Sequence, residues 1–326
     1  MPTLRETKDR IQSVKNTQKI TRAMKMVASA HVKKAEVAVK SGRPFAMEMY
    51  TTFVEIYNSI PDKKFEPVRV ENPLENFPVL LEKREIKTLG LVVISSNKGL
   101  AGAYTSNIVR YAEKLIKRTL KHNIKVKLFL IGQKAEAQIV TLSKTYDFEI
   151  KEIYSDVLDD FDIKSVDLIA QDLAKSFVSG EIDELRLITT RYINMMSYKA
   201  EQWPLLPVID NRNKRVLKFF KEEFNIENDI NYKTFFEQNS SVGQKFEPSV
   251  QECLKKIVPM YIVNTMYQAI LEAKASELAS RMTAMSAATK NAEDMIKRLT
   301  ISYNKARQEA ITLELTEVIS SSMAKK

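Results

Sequence analysis

The turn that follows the first long apolar run has the residue types of a phosphate-binding loop. Residues Ser95–Gly102 read SSNKGLAG, and backbone amides at the start of a helix can bind phosphate. A P-loop, however, places its lysine and a following serine or threonine after the second glycine, whereas Lys98 precedes both glycines. The dinucleotide fingerprint also needs a third glycine and an acidic residue after the next strand, where this chain has Ile131-Gly132-Gln133. Because a tight strand-to-helix turn needs the same glycines, we favour a turn over a nucleotide site.

Few residues elsewhere have the types that act as nucleophiles, bases or metal ligands. Cys253 is the only cysteine, which excludes an internal disulfide and a cysteine-rich metal site. His31 and His122 are the only histidines and lack the HExxH spacing of a zinc site. No Ser/His/Asp or paired-carboxylate set follows from spacing, so we predict no catalytic residues, no cofactor and no metal. An active site assembled from scattered residues stays open.

The elements around this turn alternate between apolar runs and amphipathic ones. Such alternation predicts an α/β domain with an open, mainly parallel, Rossmann-like sheet and flanking helices. The predicted strands are Leu89–Ser95, Val126–Gly132, Phe148–Tyr154 and Leu185–Ser197, and the predicted helices are Thr105–Lys121, Gln133–Ser143 and Ile163–Ser179. Four prolines mark a connector before the first strand, over residues 61–87. Residues 211–247 are read as a loop or insertion, with a short helix near Val216–Phe224.

The two ends of the chain lack the residues that stop helices. Neither Thr3–Ser41 nor Met260–Lys326 contains glycine or proline. The second stretch has 67 residues, enough for one helix of about 100 Å. A compact domain of this mass cannot cover such a helix, so the helix needs a partner. The first helix is expected to continue past Gly42-Arg43-Pro44, bending there, to about Ser59.

The C-terminal stretch carries the apolar repeat of a coiled coil. Spacings of four and three residues continue without a slip, which indicates a narrow seam against a second helix. The seam consists of Leu271, Ala275, Leu278, Met282, Met285, Thr289, Ala292, Ile296, Leu299, Tyr303, Ala306, Ala310 and Leu313. A helix lying on a globular domain would show a wider stripe.

The N-terminal stretch offers a matching but less regular seam. Gln18, Thr21 and Lys25 interrupt it, and a second stripe of Ile20, Met24 and Val27 indicates contact on another side. The seam runs through Ile11, Val14, Gln18, Thr21, Lys25, Ala28, Val32, Ala35 and Val39. Two terminal helices joined by one compact domain can pair only antiparallel. We therefore predict a long antiparallel two-helix coiled coil, with the C-terminal helix overhanging its mate.

Positive charge is concentrated at the N-terminus. The chain has a net charge of +10, and residues 1–43 hold eleven basic against three acidic side chains. The preferred interpretation of a basic helix is a solvated face. The next is a surface that binds an acidic protein, and the last is one that binds nucleic acid or anionic lipid. Glu6, Asp9 and the coiled-coil spacing argue against a removable transit peptide. The sequence contains no run of eighteen apolar residues, so it predicts no membrane-spanning helix.

Four segments in the same order resemble the F-type ATP synthase gamma subunit family. Residues Ile11–Ala28 (IQSVKNTQKITRAMKMVA) resemble its opening, and Ser95–Gly102 resembles its strand-to-helix turn. Ala275–Thr289 and Tyr303–Ser320 resemble its C-terminal helix. Departures are Asn97 where aspartate is usual, Ala101 where cysteine is common, and the long segments 61–87 and 211–247.

The resemblance implies a mechanical, non-catalytic subunit of a proton-translocating complex. In that family the coiled coil is a central shaft within a ring of alternating alpha and beta subunits. The α/β domain is a foot that lies on the membrane c-ring beside the epsilon subunit. Rotation driven by protons then changes the catalytic subunits in turn. The implied location is peripheral, on the cytoplasmic side of the cell inner (plasma) membrane. The corresponding domain limits are shaft helices over 1–60 and 248–326, a foot over 61–210 and an insertion over 211–247.

Residue roles follow from the resemblance only where the motifs match. A catch on the catalytic-subunit loops would involve Arg281, Arg307, Gln308 and Thr312, and Met24 and Lys25 would meet an acidic loop of the beta subunit. The cations Lys15, Lys19, Arg22 and Lys25 suit such a partner. The apolar tip, which would turn in a bearing or else fray or aggregate, comprises Ile311, Leu313, Leu315, Val318 and Ile319. Phe246 and Glu247 resemble the ring-facing foot. Each contact residue has an alternative interpretation as an ordinary solvated flank.

Two other classes of protein compete with this interpretation. A nucleic-acid-binding α/β protein with a basic helical arm would be expected to interleave aromatic residues with the basic ones, and residues 1–44 contain no aromatic side chain. A structural coiled-coil scaffold would not need an α/β domain between its helices.

Overall fold

The computed structural model describes residues 3–60, 70–155, 162–208 and 246–323. Two compact units are present: residues 1–31 together with 281–326 form one, and residues 32–280 form the other. The predicted helix near Val216–Phe224 lies outside the described residues. The predicted domain limits differ from this division and stay a prediction.

A single helix, α1, covers Leu4–Asn58. Its start is a capping box: the Glu6 amide donates to Thr3 Oγ1 at 3.2 Å, and the Thr3 amide donates to Glu6 Oε2 at 2.8 Å. The helix continues through Pro44, which has no N–H to donate to the carbonyl of Lys40. The predicted continuation past this proline is therefore confirmed to within one residue of its predicted end.

The central domain is a five-stranded sheet with helices on both faces. Strand order is β3-β2-β1-β4-β5, with β1 parallel to β2 and β4, β2 parallel to β3, and β5 antiparallel to β4. The strands are β1 Thr88–Ile94, β2 Lys125–Ile131, β3 Glu149–Tyr154, β4 Glu184–Asn194 and β5 Ser197–Leu206. The helices are α2 Phe77–Leu80, α3 Tyr104–Leu120, α4 Glu136–Ser143, α5 Ile163–Val178 and α6 Val250–Met323, and a 3₁₀ turn covers Pro73–Glu75. This confirms the predicted mainly parallel sheet between two long terminal helices.

The predicted strand Leu185–Ser197 was wrong at its end. The chain reverses after Asn194, whose Oδ1 accepts hydrogen bonds from the amides of Met196 at 2.9 Å and Ser197 at 3.0 Å. An asparagine side chain can close a turn without glycine or proline, so the usual signal for a hairpin is missing. The returning strand β5 contains Pro204, which is tolerated because β5 is an edge strand.

The alternation of β1 divides the apolar core into two layers. Val92 and Ile94 point to one face, where they pack with α5 and with parts of α1 and α6. Leu91 and Val93 point to the other face, where they pack with α3 and α4. Because β1 has neighbours on both edges and helices on both faces, its side chains are almost completely buried, as expected for a central parallel strand.

Gly90 lies in β1 beside the side chains of Leu185 and Ile182. A Cβ atom there would lie 2.7 Å from Leu185 Cδ1 and 2.9 Å from Ile182 Cδ1. Gly90→Val is therefore expected to lower the free energy of unfolding by about 1–3 kcal/mol through overpacking. Urea denaturation measures this change. Gly99→Ala is the control, because no atom lies within 4 Å of a Cβ at Gly99; equal losses for the two variants would contradict the packing argument.

Candidate functional site

The ligand-binding position of an open α/β sheet is occupied here by helix α6. The switch point of this sheet lies between β1 and β4, since β2 and β3 extend from one side of β1 and β4 and β5 from the other. Such sheets bind ligands outside the carboxyl ends of the strands at this point. In this chain Thr189 Oγ1 donates to the carbonyl of Ala269 at 2.8 Å, and the Tyr104 hydroxyl donates to the carbonyl of Ala273 at 2.9 Å. The site therefore seats a helix.

The glycine-containing turn contacts the same helix and holds three strand ends together. Ser280 Oγ, on α6, donates to the carbonyl of Ala101 at 2.7 Å. The Asn97 side-chain amide donates to the carbonyl of Ser155, after β3, at 2.5 Å, and its oxygen accepts from the Gln133 amide, after β2, at 3.3 Å. Gly102 has a φ of 58°, as the turn requires. These contacts agree with a tight structural turn at this position.

A buried ion pair joins the two long helices to each other. Arg43 on α1 and Glu272 on α6 form two bonds, Nε to Oε1 at 2.7 Å and Nη2 to Oε2 at 3.0 Å. The two side chains are only 3% and 1% exposed. The backbone of Tyr192 on β4 completes the set: its carbonyl accepts from Arg43 Nη2 and its amide donates to Glu272 Oε2, both at 2.8 Å. Two helices and one strand therefore meet at this pair.

Gln268 and Gly42 belong to the same contact. Gln268 Nε2 lies 3.3 Å from both the Val39 carbonyl and Glu272 Oε1, and donates to each. A Cβ atom at Gly42 would collide with the Gln268 side-chain oxygen. Gly42 thus leaves room for the Gln268 side chain, and the bend expected there stays a prediction. We name this set, Arg43, Glu272, Gln268 and the backbone of Tyr192, the Arg43 cluster.

Two buried tyrosines around the seat remain protonated. Burial raises the pKa of the Tyr104 phenol, the hydrogen bond with the Thr190 hydroxyl lowers it by a smaller amount, and the nearby Glu277 carboxylate raises it again by less. Burial, followed by the charge of Glu36, raises the pKa of Tyr192 to about 12. Both phenols are therefore neutral near pH 7, and Tyr104 keeps the proton that it donates to the helix carbonyl.

The pairing of α1 with α6 is antiparallel in both units. In the sheet-containing unit Arg43 meets Glu272, and in the other unit Thr289 Oγ1 donates to Thr21 Oγ1 at 2.9 Å. Between residues 290 and 310 the shielded positions are the predicted seam residues, and the intervening residues are exposed: the shielded set is Ala292, Ile296, Leu299, Tyr303, Ala306 and Ala310. The predicted coiled coil is confirmed. Beyond Ala310, residues 311–320 are all exposed, which confirms the predicted overhang of α6.

The N-terminal seam differs from the prediction at one position. Lys25 is exposed and the neighbouring Met24 is half-buried instead, because burying an unpaired ammonium group costs far more than burying a thioether. Ile20 and Val27 of the second stripe are 60% and 58% exposed. This stripe, flanked by the exposed cations Lys15, Lys19, Arg22 and Lys25, is an open surface of the described chain.

The predicted contact residues all lie on these two helices or just before the start of α6. Arg307, Gln308 and Thr312 are exposed and Arg281 is half-buried. Thr312 Oγ1 donates to the Gln308 carbonyl at 2.8 Å. A shallow depression on α6 is lined by Lys305, Gln308, Glu309, Thr312 and Leu313. The roles of these residues in contacts with other subunits stay predictions.

The predicted tip and foot differ in exposure. The tip residues belong to the helical part of α6 and are 47–64% exposed: Ile311, Leu313, Leu315, Val318 and Ile319. Phe246 packs against the first core layer, whereas Glu247 is exposed and its carbonyl accepts from the Cys253 thiol at 3.6 Å.

No helix within the described ranges has both the length and the apolarity to cross a bilayer. Within the same ranges, no three histidine, cysteine, aspartate or glutamate side chains form a metal-binding group.

Known proteins resemble this chain over almost its full length. A family model described as ATP synthase matches residues 3–324. The ATP synthase gamma chain of Picosynechococcus sp. is 36% identical, with 99% of this chain and 100% of that protein covered. The gamma chain of Gloeobacter violaceus is 34% identical with the same coverage.

Solved structures share the fold. A chain of the Euglena gracilis mitochondrial ATP synthase, in a structure of OSCP/F1/c-ring, gives a TM-score of 0.62 at 18% identity and covers 98% of this chain and 94% of that chain. A chain of the Tetrahymena thermophila mitochondrial ATP synthase, from its central stalk and c-ring, gives 0.54 at 24% identity and covers 82% and 99%.

Proposed function

Because this chain belongs to the ATP synthase gamma chain family, we propose that it is the central rotor shaft of an F-type ATP synthase. The observation that carries the proposal is the antiparallel helix pair, whose seam is shielded as far as Ala310. A long pair of this kind, wound around one narrow seam, resists bending and twisting better than a single helix. This property suits a part that transmits rotation.

The shaft acts by contact and performs no bond chemistry. Its partners are a ring of alternating alpha and beta subunits, and its surface differs around its circumference. At each angle it therefore contacts the catalytic subunits differently and shifts each between open and closed states. Differential contact is the whole of its contribution, so the chain itself is proposed to be non-catalytic and to need no cofactor.

The exposed surface of α1 suits an acidic partner. Lys15, Lys19, Arg22 and Lys25 are all exposed, and their charges would attract and orient an acidic loop of a beta subunit. The exposed apolar side chains of Ile20 and Val27 would supply contact area beside the half-buried Met24. On α6 we propose that Arg281, Arg307, Gln308 and Thr312 form hydrogen bonds with loops of the catalytic subunits as a catch.

The remaining surfaces are assigned to the bearing and the foot. Exposed apolar residues at the end of α6 suit an apolar socket at the top of the ring: Ile311, Leu313, Leu315, Val318 and Ile319. The sheet domain, with Phe246 and Glu247, is proposed to lie on the membrane c-ring beside the epsilon subunit. Association with the cell inner (plasma) membrane is then peripheral, on its cytoplasmic side. A nucleic-acid-binding protein is not proposed, because the family match includes the basic arm.

Reconstitution tests this function directly. The purified chain is mixed with alpha and beta subunits of the Picosynechococcus enzyme, and ATP hydrolysis is measured. We expect a severalfold increase over the alpha and beta subunits alone, because an asymmetric shaft makes the catalytic subunits act in sequence. The chain alone is the control and is expected to hydrolyse no ATP. No increase in the mixture, or turnover by the lone chain, would count against the rotor.

A further inference from the structure

The Arg43 cluster ties three elements of the sheet-containing unit together through directional bonds. Arg43 and Glu272 meet through two bonds, and each also binds the Tyr192 backbone of β4. Gln268 adds a link from α6 to the Val39 carbonyl of α1. No two of the three elements can turn past each other without breaking at least two of these bonds.

Apolar packing alone does not give this fixed orientation. Around the cluster, Val32, Val39, Leu271 and Ala275 form a small apolar core with the Tyr192 ring, and burial of apolar surface is non-directional. A shift of α6 by one residue rotates the helix by about 100° about its axis. Because α6 is largely buried between residues 266 and 279, this rotation would bring other apolar residues to the same surface. The same turn would carry Glu272 away from both Arg43 and the Tyr192 amide.

We propose that Arg43 and Glu272 are positioning residues that form a torque clamp. They set the rotational position of α1 and α6 on the sheet, so that a turning force applied to the sheet domain passes into both helices without slip. Both helices continue without interruption beyond this unit, to Leu4 and to Met323. The inference rests on the proposed rotor function and deepens it by naming the residues that carry the force.

A clamp of this kind is distinguishable from a pair that merely stabilises the fold. Replacing both members of a buried ion pair with apolar residues of similar volume is often neutral for stability. The variant Arg43→Met with Glu272→Met should therefore fold and assemble, and yet lack every directional bond that these two side chains make. This variant therefore tests the orientation of the helices separately from the stability of the fold.

The test compares proton transport with ATP hydrolysis in vesicles that contain the complete ATP synthase. We expect the double-methionine variant to retain ATP hydrolysis but to transport fewer protons for each ATP. If the rotated position of α6 is populated about twice as much as the native one, and only the native one couples the two processes, the number of protons transported per ATP falls to about one third. An unchanged ratio in a folded, assembled variant would overturn the clamp.

A second Arg–Glu pair of the same chemistry supplies the matched control. On β4, Arg186 Nε lies 2.6 Å from Glu184 Oε1 and Arg186 Nη2 lies 3.1 Å from Glu184 Oε2, with Glu184 only 1% exposed. The two bonds of this pair join residues of one strand, whereas those of Arg43 and Glu272 join two helices. The variant Arg186→Met with Glu184→Met should keep the natural ratio. An equal fall in both double variants would overturn the clamp in favour of a general packing effect.

A conservative variant provides a second test. Arg43→Lys keeps the positive charge beside Glu272 but offers one ammonium group in place of the two guanidinium nitrogens that bind the carboxylate. We expect a ratio between those of the natural chain and the double-methionine variant. The natural ratio in Arg43→Lys would overturn the clamp. The natural chain distinguishes the two proposals: if its complex hydrolyses ATP without transporting protons, the rotor function fails and not the clamp alone.

Discussion

Replacing Glu272 alone by leucine is expected to lower the free energy of unfolding of the isolated chain by about 3–5 kcal/mol. The substitution removes the carboxylate that pairs with the Arg43 guanidinium, 3% exposed, and it removes the acceptor of the Tyr192 amide. Breaking a buried ion pair by removing one member is among the most destabilising changes that a single substitution can make. Urea denaturation near pH 7, followed by circular dichroism, measures the loss.

Two further variants separate charge from packing. Adding Arg43→Met to the leucine variant should recover part of the lost stability, because both members of the buried ion pair are then absent, although the Tyr192 carbonyl and amide lose the hydrogen bonds that they made to the pair. Glu293→Leu is the control on the same helix: Glu293 pairs with Lys297 at 3.1 Å on an exposed surface, and its loss should change stability little. A Glu272→Leu variant as stable as this control would contradict the electrostatic explanation.

Reversing the charge of Lys15, Lys19, Arg22 and Lys25 to glutamate is expected to weaken the functional association with alpha and beta subunits about a hundredfold, since like charges facing each other cost several kcal/mol. All four side chains are exposed, so the isolated chain should keep its fold. The measurement is the concentration of chain that gives half-maximal stimulation of ATP hydrolysis. Stimulation by the natural chain should also weaken as salt is added, because salt screens exposed charges.

A charge-matched variant tests whether the location of these cations matters. Three lysines and one arginine are also exposed on or just after α3: Lys114, Lys117, Arg118 and Lys121. Changing these four to glutamate alters the net charge by the same amount on the sheet domain. We expect a much smaller loss of stimulation. Comparable losses would indicate that the total charge, and not the surface of α1, attracts the partner.

Periodic features of this chain were predictable because each is written locally. The four-three spacing from Leu271 to Ala310 matches the shielded side of α6, and the unbroken apolar run at the start of the domain is β1. The exception is instructive: the regular spacing selects Lys25, but the helix turns Met24 inward, since the cost of desolvating a charge overrides a perfect repeat.

Features that depend on distant residues were not predictable. Arg43 and Glu272 are separated by 229 residues, and neither lies in a pattern that points to the other. The stretch without glycine and proline begins only at Met260, whereas α6 begins at Val250 and continues through Pro259. Strand β5 was missed because Trp203 and Pro204 resemble the end of a domain, and only the pairing with β4 makes them a strand.

The way α6 is seated has a consequence for which substitutions this helix tolerates. The hydroxyls of Thr189 and Tyr104 donate hydrogen bonds to the main-chain carbonyls of Ala269 and Ala273. Every amino acid provides such a carbonyl. A substitution at Ala269 or Ala273 would therefore keep these hydrogen bonds wherever the new side chain fits the buried surroundings. Glu272 has no such tolerance, because its own carboxylate makes the bonds to Arg43 and to the Tyr192 amide.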